Sequence, residues 1–283
     1  MLSWFKREKS DGEKENGKPV VVQHNFEERD AKEILKEIKN EFGLDYRRQE
    51  AVTMRKIERF AIKNGFVSFG ELAEKMRSSS SLKRSLINAL TVGETYFYRE
   101  LDQIKTLAEL ICKNRCSSVL SAPCSSGEEV YSILLYLQEN SSIPPSLHIT
   151  GIDINSDALA RAEIGCYSER SVSQLPEETR ERYFTKDGDK RCIDPVFKRY
   201  TSFAYHNIFD KEFYLLGKFD AVLSRNMMIY FTDEEKRKAL SQLRSVLKPG
   251  GVLFLGHADI SFVPEGFEKV LSGRAAYFRA TEK

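Results

Sequence analysis

The stretch Val119-Leu120-Ser121-Ala122-Pro123-Cys124-Ser125-Ser126-Gly127-Glu128-Glu129-Val130-Tyr131-Ser132 constrains the fold more than any other part of the chain. A short apolar strand runs into a loop of small, turn-prone residues. An amphipathic helix then opens with Glu128 and Glu129 in its first turn. A second strand, His148-Ile149-Thr150-Gly151-Ile152, ends in Asp153. Strand, small-residue loop, helix, strand and acid are the parts of a nucleoside-binding α/β unit. The loop is not GxGxxG, so it supports a pyrophosphate cradle only weakly. A small adenosine-containing ligand is the expectation.

The rest of the chain fits that frame. Strands are expected at 117–122, 147–152, 200–205, 219–224, 251–256 and 275–280, and helices at 128–139, 156–163 and 233–247. Such alternation predicts a parallel sheet with helices on both faces. Lys248-Pro249-Gly250-Gly251 reads as a sharp helix-to-strand turn. The segment at about 165–200 interrupts the alternation as a small inserted subdomain, with a hairpin turn at Thr185–Lys190. Upstream, residues 26–90 carry helical periodicity. Ile34, Leu35, Ile38 and Phe42 recur before Gly43, and Val52, Ile57, Phe60 and Ala61 give a second helix its apolar side. Ser68 and Glu71 have the spacing of a capping box. Residues 1–25 are charged, contain few core residues and read as a disordered tail.

Composition excludes several classes. No apolar run approaches the roughly 20 residues that span a bilayer, and the start of the chain lacks the apolar core of a signal peptide. Cytoplasmic location is the default. A net charge of +2 gives no global case for nucleic acid, and no aromatic residues are interleaved with the basic ones for base stacking. The five cysteines are scattered. Cys112 and Cys116 find no second pair for a metal site, so free thiols are expected.

Ligands of open α/β sheets bind beyond the carboxyl ends of the strands. Asp153 at such an end suits a ribose diol, although an acid there also serves turns and helix caps. Tyr205-His206-Asn207-Ile208 suits an adenine pocket; a simple turn is the bland alternative. Ser224-Arg225-Asn226 breaks an apolar strand with polar groups that a buried strand has no need for. Glu128 is ordinary in a first helical turn. In Thr95-Tyr96-Phe97-Tyr98-Arg99 the aromatics suit an interface, and Arg99 can pair with an acid or face a carboxylate.

Together these segments resemble the CheR-type methyltransferases, which use S-adenosylmethionine to methylate glutamate side chains of chemotaxis receptors. The motifs GETYFYRE, SAPCSSGEEVYSI, GIDINSDALARAEIGCY, YHNIFD and SRNMMIYF stand in family order and at family spacing, within residues 30 to 280. The resemblance implies a Rossmann-like methyltransferase domain at 91–283, preceded by an all-α substrate-recognition domain at 26–90 and carrying a small inserted β-subdomain. It implies cofactor contacts from Thr95, Arg99, Ala122, Glu128, Asp153, Asn207, Ile208, Arg225 and Asn226, and places Arg99 and Tyr230 at the reacting centre. The product would be S-adenosylhomocysteine, and no metal is implied. Arg48, Arg55 and Arg59, which read on pattern alone as a solvated helix face, become candidates for meeting the acidic methylation helices of methyl-accepting receptors. This chain departs from the family at Gly93, where some members carry Asn, and at Pro123 and Cys124. The segment between Tyr183 and Tyr200 looks shorter than in members that dock a receptor's C-terminal pentapeptide, which speaks against tethering of that kind. Two other readings stand beside this one: a methyltransferase of small molecules or another substrate, and a cofactor-binding signalling module without turnover.

Overall fold

The computed structural model describes residues 25–91, 93–113 and 115–281. The expected tail lies outside the described residues except for Asn25. That residue belongs to the fold, because its backbone N–H donates to Val67 O at 2.8 Å.

The first helices follow the periodicity. In α1 (Glu28–Phe42) the residues Ala31, Ile34, Ile38 and Phe42 are buried, and Gly43 closes the helix at φ 70°, its N–H meeting Lys39 O. In α2 (Glu50–Lys63) Thr53, Ile57, Phe60 and Ala61 face inward. Val52, expected with them, is instead 49% exposed and borders the cavity described below. Ser68 caps α3 (Phe69–Ser78), accepting from Glu71 N. The reciprocal bond goes from Val67 N to Glu71 Oε2, one residue earlier than a capping box requires. Ser79 caps α4 (Ser80–Leu90).

After α5 (Leu101–Cys112), which the sequence reading missed, come β1 (Ser118–Ser121), α6 (Glu128–Asn140), β2 (His148–Asp153) and α7 (Ser156–Ile164). The insert holds β3 (Cys166–Ser168), α8 (Glu169–Val172), α9 (Glu177–Tyr183), β4 (Phe184–Asp187) and β5 (Lys190–Ile193). Its three strands form an antiparallel sheet in the order β3-β5-β4, and the expected turn sits at Gly188-Asp189, where Gly188 has φ 58°. Then follow β6 (Thr201–Tyr205), β7 (Phe219–Ser224), α10 (Asp233–Ser245), β8 (Leu247–Leu255), β9 (Phe267–Ser272) and β10 (Ala275–Ala280).

Among the described residues the main sheet has seven strands in the order β6-β2-β1-β7-β8-β10-β9. The pairs from β6 through β8 are parallel, as expected. At the far edge β10 runs antiparallel to both β8 and β9, so the sheet is mixed. Lys248-Pro249-Gly250 is also more than a turn. It lies inside β8, where the register against β7 shifts between Phe219 and Ala221, and Gly250 takes φ 70°.

One cysteine expectation is corrected. Cys166 and Cys192 stand directly opposite on β3 and β5 and form a disulfide, with their Cα atoms 3.9 Å apart. They are 26 residues apart in sequence, and only the folded insert brings them together. Cys112, Cys116 and Cys124 remain free.

Two apolar layers cover the sheet. One joins α5 and α6 to Val119, Ile149, Leu223 and Phe254. The other is continuous from the N-terminal helices into the sheet: Ile34, Ile57, Leu72 and Leu90 belong to the same cluster as Ile152, Ile208, Met228 and Leu240. The helices α1–α4 therefore close one face of the α/β unit.

Candidate active site

The strand order reverses between β1 and β7, and a crevice opens there beyond the strand ends. A cavity of about 160 Å³ lies in it, walled by residues that follow β1, β2, β6 and β7 and roofed by α2 and the segment after α4.

The loop after β1 forms its floor. Ala122 N donates to Leu223 O and Cys124 N to Ile152 O, both at 2.8 Å, so the loop is tied to both neighbouring strands. Gly127 has φ 88°, and a Cβ there would lie 2.9 Å from Ala162 Cβ; both facts demand glycine. A Cβ on Gly93 would come 2.8 Å from Ser125 Oγ, so the departure at 93 matches the serine that this loop carries. Cys124 is buried and its thiol is pushed far above its ordinary pKa by burial, which disqualifies it as a nucleophile.

Asp153 ends β2 and borders the cavity. Its Oδ2 accepts from Ser125 N at 2.9 Å and its Oδ1 from Asn155 N at 2.8 Å. Burial raises its pKa, and the backbone N–H groups oppose that rise. Each oxygen keeps acceptor capacity for a ligand hydroxyl. Asn207 and Ile208 border the cavity beyond β6. The Asn207 side chain braces the roof: Nδ2 donates to Glu41 O at 2.7 Å and Oδ1 accepts from Phe209 N at 3.1 Å.

Arg225 borders the cavity, and part of its guanidinium is engaged. Nε pairs with Glu129 Oε2, and Nη1 donates to Arg99 O at 2.7 Å. Glu129 Oε1 accepts from Ser121 Oγ at 2.7 Å. The acid that faces the cavity is thus Glu129. Glu128 does not border it; its carboxylate accepts from Ser126 Oγ at 2.7 Å and Ser171 Oγ at 2.8 Å, toward the insert. The two are neighbours at a helix start, and their partners tell them apart: Arg225 and Ser121 for Glu129, Ser126 and Ser171 for Glu128.

Thr95, Arg99, Asn226 and Tyr230 complete the wall. Arg99 Nη1 donates to Glu94 O at 2.8 Å, and its guanidinium lies 5.8 Å from the Tyr96 ring centroid. Of the three aromatics, Phe97 is fully buried edge-on against Tyr167 and Phe184 of the insert, and Tyr98 donates to Glu139 Oε2 on α6 at 2.7 Å, so these two pack within the α/β part and not against α1–α4. Tyr230 O accepts from Asp45 N at 2.9 Å, which anchors the site to the loop after α1. A second groove lies on the other side of Tyr230 and contains Arg48. Arg48 sits in a 3-10 turn before α2 rather than on the helix. Arg55 and Arg59 are exposed on α2, one turn apart, outside both cavities.

The donor set fits S-adenosylmethionine. A buried carboxylate stands ready for the ribose hydroxyls, apolar Ile208 and Ile154 offer walls for a base, and Arg99 offers a cation for the amino-acid carboxylate. Ser125 Oγ, which also borders the cavity, is buried with no hydrogen-bond partner among the described residues. No group of three metal-ligating side chains occurs among them.

Residues 93–275 match the family described as CheR methyltransferase, SAM binding domain. The chain belongs to the CheR methyltransferase family. It is 36% identical over 252 residues to a chemotaxis protein methyltransferase of Campylobacter jejuni, covering 87% of this chain and 94% of that one. It is 38% identical over 197 residues to chemotaxis protein methyltransferase 2 of Vibrio cholerae, covering 65% and 68%. Among solved structures, it is similar to N-methyltransferase NodS of Bradyrhizobium japonicum, at 17% identity and a TM-score of 0.39 over 65% of this chain and 97% of that one. So distant a likeness adds nothing to the assignment, which rests on the family match. This CheR-family chain is an S-adenosylmethionine-dependent methyltransferase.

Proposed function

We propose that this enzyme transfers methyl groups to glutamate side-chain carboxylates of chemotaxis receptors, forming glutamate 5-O-methyl esters and S-adenosylhomocysteine. What supports the reading most is one cavity in which Asp153, Arg99 and Tyr230 converge beneath a basic helix, in a chain whose relatives are named chemotaxis protein methyltransferases.

The cofactor supplies a methyl group already activated by the sulfonium charge. The acceptor carboxylate, with a free pKa of about 4.3, is ionised at neutral pH, so the protein needs no general base. What remains for the side chains is alignment. Asp153 holds the ribose end by accepting from its hydroxyls. Arg99 orients a carboxylate, of cofactor or substrate. Tyr230, fixed from behind by Asp45 N, hydrogen-bonds near the transfer path and helps exclude water. Neither Arg99 nor Tyr230 has to move a proton. Residues 26–90 form the substrate-recognition part, with Arg48 beside Tyr230 and Arg55 and Arg59 further along α2. Complementary charge of this kind speeds and orients docking of an acidic helix.

The test is transfer of radiolabelled methyl from S-adenosylmethionine to receptor-containing membranes of the source organism, followed by mild base. Base-labile label on receptor bands is expected. Base-stable label would mean another acceptor, and cofactor binding without label would make the chain a signalling module.

A further inference from the structure

Asp259 lies outside every motif described above and does not border the cavity, yet it is fully buried. Its carboxylate accepts from three backbone N–H groups. Asn226 N and Gly256 N meet Oδ2, each at 2.7 Å, and Met228 N meets Oδ1 at 2.9 Å. Two of these donors belong to the turn that leaves β7 toward the cavity. Asn226 stands there at φ 60°, a left-handed conformation that costs a non-glycine residue free energy. Its N–H and that of Met228 would be buried and unpaired without a partner from elsewhere. Two residues after Met228 comes Tyr230, at the end of the 3-10 turn Met228–Tyr230.

We propose that Asp259 is a positioning residue for methyl transfer: one oxygen sets Asn226 on the cofactor side of the cavity, and the other sets the Met228–Tyr230 turn on the acceptor side. The proposal rests on the reading of Tyr230 as a group near the transfer path.

The division of labour between the oxygens can be separated. In Asp259→Asn the amide oxygen goes to the paired donors Asn226 N and Gly256 N, and the amide NH2 is left against Met228 N–H. This variant keeps the Asn226 anchor and releases the Tyr230 turn. In Gly256→Ala the new Cβ lies 2.7 Å from Asp259 Oδ2 and 2.9 Å from Asn226 N, so the Asn226 anchor is forced apart while the carboxylate is retained.

The experiment measures S-adenosylhomocysteine affinity by calorimetry, methyl-transfer turnover on receptor-containing membranes, and melting temperature, all on the full chain. Loss of one hydrogen bond to a charged acceptor corresponds to about tenfold or more. Asp259→Asn is expected to lower turnover by about tenfold with affinity within about twofold of the parent. Gly256→Ala is expected to weaken S-adenosylhomocysteine binding by about tenfold. Should only one variant fold, its own split decides. Parent-like turnover and affinity in the variants would overturn the proposal, whatever the melting temperatures. So would equal loss of both quantities in each variant, or failure of both to fold, since each assigns Asp259 to stability alone. If the parent itself labels no receptor, the proposed substrate falls, and the affinity change in Gly256→Ala still tests the positioning.

Discussion

Replacing Glu129 by Ala isolates the charge pair that holds the site together. Arg225 and Glu129 have side chains 3% and 9% exposed, so neither charge recovers much hydration when its partner goes. Arg225 would keep only the Arg99 carbonyl, and Ser121 Oγ would lose its acceptor. Breaking a buried pair from one side costs about 3–5 kcal/mol. For a chain of this size, 1 kcal/mol lowers the melting temperature by about 2 °C. Glu129→Ala should therefore melt roughly 6–10 °C below the parent. Cofactor affinity should fall with it, because Arg225 and Arg99, whose carbonyl Arg225 holds, both border the cavity. Differential scanning calorimetry and titration with S-adenosylhomocysteine read the two effects. The companion variant joins Glu129→Leu and Arg225→Leu. With both charges gone, most of the lost melting temperature should return while cofactor binding stays weak. A melting temperature of Glu129→Ala within about 2 °C of the parent would refute the account, as would a double variant less stable than the single one.

Further outcomes follow from the same geometry. Asp153→Ala should weaken S-adenosylhomocysteine by about a hundredfold or more, at about 1.5–3 kcal/mol for each hydroxyl bonded to a buried carboxylate; a change under about tenfold would remove Asp153 from the ribose site. Joint charge reversal at Arg55 and Arg59 should raise the Michaelis constant for receptor membranes and leave cofactor affinity alone, with a smaller effect at high salt; unchanged kinetics would sink the docking role of α2. Asp45 is held well below its ordinary pKa, first by its hydrogen bond with Arg47 and also by Lys39, against burial that pulls the other way. A lowered folded-state pKa means stability that is present above the unfolded value of about 3.9 and is lost as pH falls toward the folded one. Asp45→Asn should flatten the acid side of the melting-temperature profile below about pH 4; an unaltered profile would contradict this.

What the sequence revealed and what it hid divide along range. The loop after β1, the acid ending β2 and the polar break after β7 are local patterns, and each lies where its pattern put it. The edge strand β9 escaped because Glu268 and Lys269 interrupt the apolar alternation that marks a strand. Parallel pairing was expected throughout because direction depends on connections: β9 and β10 are joined by the short turn Gly273-Arg274, which only antiparallel strands can use. Val52 sits at a helical spacing that suits a core, and whether its neighbour is packing or a cavity is decided by other elements. Asp259 was invisible for the same reason. Its partners are backbone N–H groups, which every residue carries, so no side-chain motif announces them.

The continuous core between α1–α4 and the sheet also bears on synthesis. Asn207 Nδ2 braces Glu41 O across 166 residues of chain. At about 5–20 residues per second the ribosome takes roughly ten to thirty seconds to add that length. For the larger part of this interval α1–α4 are complete while Ile208, Met228 and Phe231, which finish their core, do not yet exist. The nascent helices must wait with an apolar face bare to water, so a step exposed to aggregation comes at birth, well before the finished enzyme meets any substrate.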